Sequence, residues 1–108
     1  MDIKFTDISG VAVAAVEGEI NISTSPQLKK EMEKVTNAKV VINLSRVGYV
    51  DSSGLATLVE ILKKARSRGG SLHLTHLSDK VRSLFEITKL DKLFGIYPDD
   101  ATAASKFK

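Results

Sequence analysis

The run Lys39-Val40-Val41-Ile42-Asn43-Leu44 constrains the fold more than any other segment. It is short, apolar and does not alternate with polar residues. A strand of that kind is buried on both faces, so something must cover each side of its sheet. The chain has 108 residues, which suits one domain, 1–108, with a core of its own.

The segments around this strand alternate in period. Ile3 to Ser9 alternates, with Ile3, Phe5 and Asp7 on one face and Lys4, Thr6 and Ile8 on the other. Gly10 turns the chain, and Val11 to Val16 reads as a second, more buried strand in a hairpin with the first. Ser25-Pro26 then reads as a helix start, with Ser25 as N-cap and Pro26 at the first helical position. Leu28, Met32 and Val35 share its apolar face, and Thr36-Asn37 ends it. After the central strand, Leu55, Leu58, Val59, Leu62 and Ala65 form a second helical stripe that Gly69-Gly70 stops. Ser71 to Leu77 is expected as a strand. Ser78-Asp79 is expected to cap a third helix carrying Val81, Leu84, Phe85 and Thr88. Phe94 to Tyr97 reads as a last strand, and Pro98-Asp99-Asp100 opens a terminal helix with Ala101, Ala104 and Phe107. The order ββαβαβαβα predicts an α/β fold. Its sheet is mixed but mostly parallel, with about five strands and about four helices joined by right-handed crossovers.

Composition excludes several chemistries. There is no cysteine, so disulfides, thiolate metal sites and cysteine nucleophiles are absent, as suits a reducing compartment. No stretch reaches the roughly 18 apolar residues of a membrane span, and Met1-Asp2-Ile3-Lys4 does not open a signal peptide. The expected location is the cytoplasm, with no membrane partner. The formal net charge is +3. The basic cluster Lys63, Lys64, Arg66 and Arg68 has no interleaved aromatics and precedes Gly69-Gly70, so it reads as a complement to a helix dipole rather than a nucleic-acid surface. His73 and His76 have no carboxylate cluster and fall on opposite faces of a strand, so no metal or other cofactor is expected. A G-x-S-x-G elbow and a phosphate-binding G-x-x-x-x-G-K-[ST] loop are both missing. Glu17 and Glu19 read as a solvated turn. The chain is not expected to be an enzyme.

The informative segment is Val47 to Leu55, where a strand enters the tight turn Asp51-Ser52-Ser53-Gly54 and leaves as a helix. In α/β sheets this edge is where ligands and partners bind. Two readings stand side by side. Asp51 or Ser52 caps the helix and Gly54 allows close packing, or an exposed serine carries a modification. Free N–H groups around Ser53, Gly54 and Leu55 would favour an added phosphate.

The run Val40 to Val47 together with Asp51-Ser52-Ser53-Gly54-Leu55 resembles the signature of the STAS domain, as found in bacterial anti-sigma factor antagonists. Gly18-Glu19-Ile20-Asn21 is similar to the family's Gly-Glu-Leu-Asp stretch. Gly69-Gly70 and Leu90-Asp91-Lys92-Leu93-Phe94 also fit in order and spacing. The resemblance implies a partner switch. The unmodified protein binds an anti-sigma factor that is a serine kinase using Mg-ATP, and this frees the sigma factor. The kinase phosphorylates the antagonist, which lets go, and a metal-dependent phosphatase resets it. Carried over, the phosphoacceptor is Ser52, with Ser53 in reserve. The partner surface is Asn21, Ile22, Ser23, Thr24 and Ser25 with Asp51 to Leu55, on a chain that is a monomer when free. Asn21 departs from the family's aspartate and removes a charge near the acceptor. A STAS scaffold subunit of a lipid-transport or stress-sensing complex is the alternative.

Overall fold

The hairpin Asp7-Ile8-Ser9-Gly10-Val11 is set by local chemistry. Ser9 and Gly10 take positive φ of 50° and 88°, and the Asp7 carboxylate accepts the Gly10 N–H at 2.8 Å. A two-residue turn of this hand matches the twist of the strands it joins. The computed structural model describes residues 1–107. In it the hairpin joins β1 (Asp2–Ile8) to β2 (Val11–Glu17).

The remaining elements are α1 (Ser25–Met32), β3 (Lys39–Arg46), α2 (Ser52–Ser67), β4 (Ser71–Thr75), α3 (Asp79–Ile87), a 3-10 turn at Leu90–Lys92, β5 (Gly95–Tyr97) and α4 (Asp100–Ser105). The sheet runs β1-β2-β3-β4-β5. Only the β1–β2 pair is antiparallel. The expected α/β order of five strands and four helices is therefore the observed one.

Strands that follow each other in space as in sequence, with crossovers of one hand, put every crossover helix on the same face. That is what the core shows. Leu28 and Met32 of α1, Leu58 and Leu62 of α2, and Val81 and Phe85 of α3 all pack into one cluster with Ala14, Val16, Val40, Ile42, Leu72 and Leu74. Burying a side chain of this size contributes about 1.5–3 kcal/mol. The opposite face, with Val11, Val13 and Val41, is covered by α4 through buried Ala103, with Ala104 and Phe107 against it.

Several boundaries differ from the sequence reading. Thr24, not Ser25, occupies the N-cap of α1, and the helix stops at Met32 rather than near Thr36-Asn37. Ser25 is the first helical residue, its N–H on the Asn21 carbonyl at 2.8 Å, and it is buried there. Strand β4 stops at Thr75, because His76 turns out of the ladder at φ 57°. The terminal helix buries Ala103, one position off the expected Ala101 and Ala104 stripe. Lys64 and Arg66 do lie in the last turn of α2, where the dipole is negative.

Candidate functional site

The site is built where β3 leaves the sheet. Val47 turns the chain inward with its N–H on the Leu44 carbonyl at 3.0 Å. The next residues run alongside the end of β2. Ile20 and Val50 form a parallel bridge, closed by Ile20 N–H to Tyr49 O and Asp51 N–H to Ile20 O, both 3.0 Å. This bridge brings the loop before α1 against the loop before α2.

Asp51 locks the two loops together. It is the N-cap of α2, and its Oδ1 accepts the Gly54 N–H at 2.8 Å. Its Oδ2 accepts the Ile22 N–H at 3.1 Å, across to the other loop. Gly54 must be a glycine. A Cβ there would stand 2.5 Å from the Ile20 carbonyl and 2.9 Å from the Val50 side chain. Of the alternatives for the cap, the structure thus takes Asp51 and leaves Ser52 as the first helical residue.

The partner loop is ordered by its own polar side chains. Asn21 Oδ1 accepts the N–H groups of Ser23 and Thr24 at 2.9 and 3.1 Å, and Thr24 Oγ1 accepts the Asn21 N–H at 2.9 Å. Asn21 Nδ2 donates to the Glu19 carboxylate at 3.3 Å, a bond that an aspartate at this position could not make. The loop holds Ile22 out in solvent at 73% exposure, the least buried apolar side chain of the site.

Ser52 and Ser53 serve different grooves. Ser52 is exposed and lines a groove of about 460 Å³ with Tyr49, Leu55, Lys80 and Leu84, between the α2 start and α3. Ser53 is half-buried and lines a second groove with Ile22, Pro26 and Thr57, between α1 and α2. Ser25 borders that second groove too, and its buried hydroxyl has no hydrogen-bond partner. The expectation of free N–H groups at Gly54 and Leu55 is corrected. Asp51 holds both, by its carboxylate and by its carbonyl at 3.0 Å. Only the amides before them remain for an anion. Asn21, Ile22, Ser23, Thr24, Asp51, Ser52, Ser53, Gly54 and Leu55 come together around this corner. Tyr49, Lys80 and Leu84 were not foreseen, since no sequence signal sets them apart from ordinary loop and helix-face residues.

Other candidates resolve into structure. His73 is buried and stacks on Phe107 at 3.8 Å between ring centroids, and its Nδ1 sits 3.0 Å from the Ala103 carbonyl. A carbonyl only accepts, so Nδ1 carries the proton. Burial lowers the His73 pKa, opposed in part by that bond. His76 is exposed and lies beyond the strand. No three His, Cys, Asp or Glu side chains are grouped to hold a metal among the described residues. No helix among them is long and apolar enough to cross a membrane. Glu17 sits 3.7 Å from Arg46 at the surface, and Glu19 accepts from Asn21 Nδ2.

This geometry has known counterparts. The family model for the STAS domain matches residues 2–103. The anti-sigma-B factor antagonist of Listeria monocytogenes is 37% identical over 99 residues, covering 89% of this chain and 86% of that protein. The anti-sigma-B factor antagonist of Bacillus subtilis is 35% identical over 83 residues, 75% of this chain and 76% of that one. The crystal structure of an anti-sigma factor antagonist from Mycobacterium paratuberculosis superposes with a TM-score of 0.86 at 30% identity, covering 96% of this chain and 91% of that one.

Proposed function

The chain belongs to the STAS domain family, and on that premise we propose that it is an anti-sigma factor antagonist, a binding protein whose hold on a kinase-type anti-sigma factor ends when Ser52 is phosphorylated. The observation that carries this reading is the exposed Ser52 hydroxyl at the start of α2. It stands on a corner that Asp51 and the Ile20–Val50 bridge tie into one surface. Exposed Ile22 and Tyr49 flank it and give a partner apolar contacts.

In the unmodified protein this surface is neutral at Ser52. The partner docks on it, closes over Ile22, Tyr49 and Ser52, and releases the sigma factor it held. Phosphoryl transfer then joins Ser52 Oγ to the γ-phosphorus of the kinase's ATP. The bond to ADP breaks, and the hydroxyl proton passes to a base on the kinase. The product carries about −1.5 to −2 added charge beside Asp51. The domain tolerates it, because an anion at a helix N-terminus is favourable. The interface does not, because an unpaired charge at a desolvated contact costs several kcal/mol. About 3 kcal/mol lowers affinity over a hundredfold. A metal-dependent phosphatase resets the serine. The setting is the cytoplasm, the antagonist works as a monomer, and it needs no cofactor of its own.

The test uses Ser52→Ala and Ser52→Asp proteins as paired baits in a lysate of the source cell. A kinase-fold protein retained by Ala and lost from Asp is the expected result. With it, the purified kinase and ATP should modify the wild type at Ser52 and leave Ser52→Ala unmodified. Modification of the Ala protein would move the acceptor to Ser53. If both baits hold the same complex equally, Ser52 is only the first residue of a helix and the scaffold reading takes its place.

A further inference from the structure

Across the groove from Ser52 stands a cation without an acid partner among the described residues. Lys80 is in the first turn of α3 and is the one cationic side chain among the residues lining that groove. Its Nζ lies 5.8 Å from the centroid of the Tyr49 ring. The ion pairs among the described residues involve Lys29, Lys34, Arg46 and Lys64, and not Lys80. The acid among the residues lining the groove, Asp51, has each carboxylate oxygen on a backbone N–H. Lys80 is therefore parked on an aromatic face, a weak and exposed contact that leaves the ammonium's hydrogen atoms free for another acceptor.

We infer that Lys80 is the built-in counter-ion of phosphorylated Ser52, leaving the Tyr49 ring to pair with the phosphate and closing the groove between α2 and α3. The inference rests on the reading that Ser52 is the acceptor. The chemistry favours the exchange. A dianionic phosphate offers charge-assisted hydrogen bonds, which are shorter and stronger than a cation's contact with a surface ring. Lysine suits this task, since its flexible stem delivers a point charge over several ångströms. The consequence is that modification changes shape as well as charge. Lys80, drawn off the Tyr49 ring, then spans the groove from α3 to the start of α2. The signal of one serine thus reaches a second helix.

The experiment reads the phosphate itself. Phosphoserine is inserted at position 52 during translation, so no kinase is needed, and the second ionisation of the phosphate is followed by phosphorus-31 NMR. In the wild-type background the phosphate is expected to be about threefold more acidic than in Lys80→Met, because a nearby cation favours the dianion. Lys80→Arg should restore most of that difference. Lys63→Met, at the far end of α2, should leave the titration unchanged. Equal titrations for wild type and Lys80→Met would overturn the inference. An equal shift in Lys63→Met would overturn it too, by showing a general effect of net charge. Failure of a kinase to modify Ser52 would count against the proposed function and leave this titration readable. A titration blind to Lys80 would leave the function standing.

Discussion

Asp51 uses both carboxylate oxygens on backbone amides, one in its own helix and one in the loop before α1. A capping side chain replaced by alanine costs about 0.5–2 kcal/mol. Because Asp51 also pins Ile22, Asp51→Ala is expected at the upper end of that range, measured by urea unfolding. The same variant should loosen the 21–24 loop and raise its amide exchange. Ser52→Asp behaves differently. Ser52 is exposed and contributes no cap, so its melting temperature should stay near that of the wild type while partner binding is lost. Loss of cooperative unfolding in Ser52→Asp would contradict this assignment. At this scale the sequence was legible where chemistry is local. The Asp-Ser-Ser-Gly turn announces a strand-to-helix corner by itself. It does not tell which of Asp51 and Ser52 is the cap, since that depends on where the backbone stands when it meets Ile20. Ser25 shows the same limit. Ser-Pro is a helix-start signal, yet the helix begins one residue earlier, after the turn on the Asn21 carbonyl, and the Ser25 hydroxyl is buried.

Among the elements, α4 carries more than its six residues suggest. It covers the sheet face that the three crossover helices leave bare. Its Asp100 accepts from Asn43 Nδ2 at 2.9 Å and from Thr75 Oγ1 at 2.6 Å, which clamps it to β3 and β4. At its other end, His73 holds the Ala103 carbonyl and the Phe107 ring. Desolvation in this packed site disfavours a charged imidazole, and the Ala103 bond opposes that only in part. The folded protein therefore holds His73 below its ordinary value of 6.5, whereas the unfolded chain does not. The sign follows from linkage. The unfolded chain binds the proton more readily, so this contribution to stability is full above about pH 6.5 and is lost as pH falls toward the lowered folded value. Urea unfolding at pH 7.5 and 5.5 should show the loss, and His73→Phe should remove this part of the pH dependence. Sequence reading saw a terminal helix here and expected no metal on the histidines. It could not see that His73 packs against the helix, because the two are thirty residues apart and no period links them.

For the whole molecule, stability and recognition occupy different residues. Leu58 is fully buried, whereas Ile22 is 73% exposed. Leu58→Ala should cost about 2–5 kcal/mol, a large share of the roughly 5–15 kcal/mol of a domain this size. Ile22→Ala should leave unfolding by urea unchanged and weaken the partner, read by calorimetry. A stability loss in Ile22→Ala matching that of Leu58→Ala would place Ile22 in the core and sink the division. The element order and sheet class were legible in full, because each period change in the chain falls near an element boundary. The Tyr49–Lys80 groove was not, because it forms between a loop and a helix that only the closed sheet brings together. That sheet has one further property, its strand order β1-β2-β3-β4-β5, which is the order of the chain itself. Each strand therefore joins a neighbour made just before it, and most closures span a single crossover. Each crossover is still a long loop, as from Ala12 to Val40 or from Lys39 to Ser71, and parallel pairing of this kind forms more slowly than local helical contacts. Helix α4 reaches further still, since its Asp100 holds Asn43, 57 residues away, and its Ala103 packs with Val11 and Val13. Its cover on the sheet therefore needs β2 and β3 already side by side.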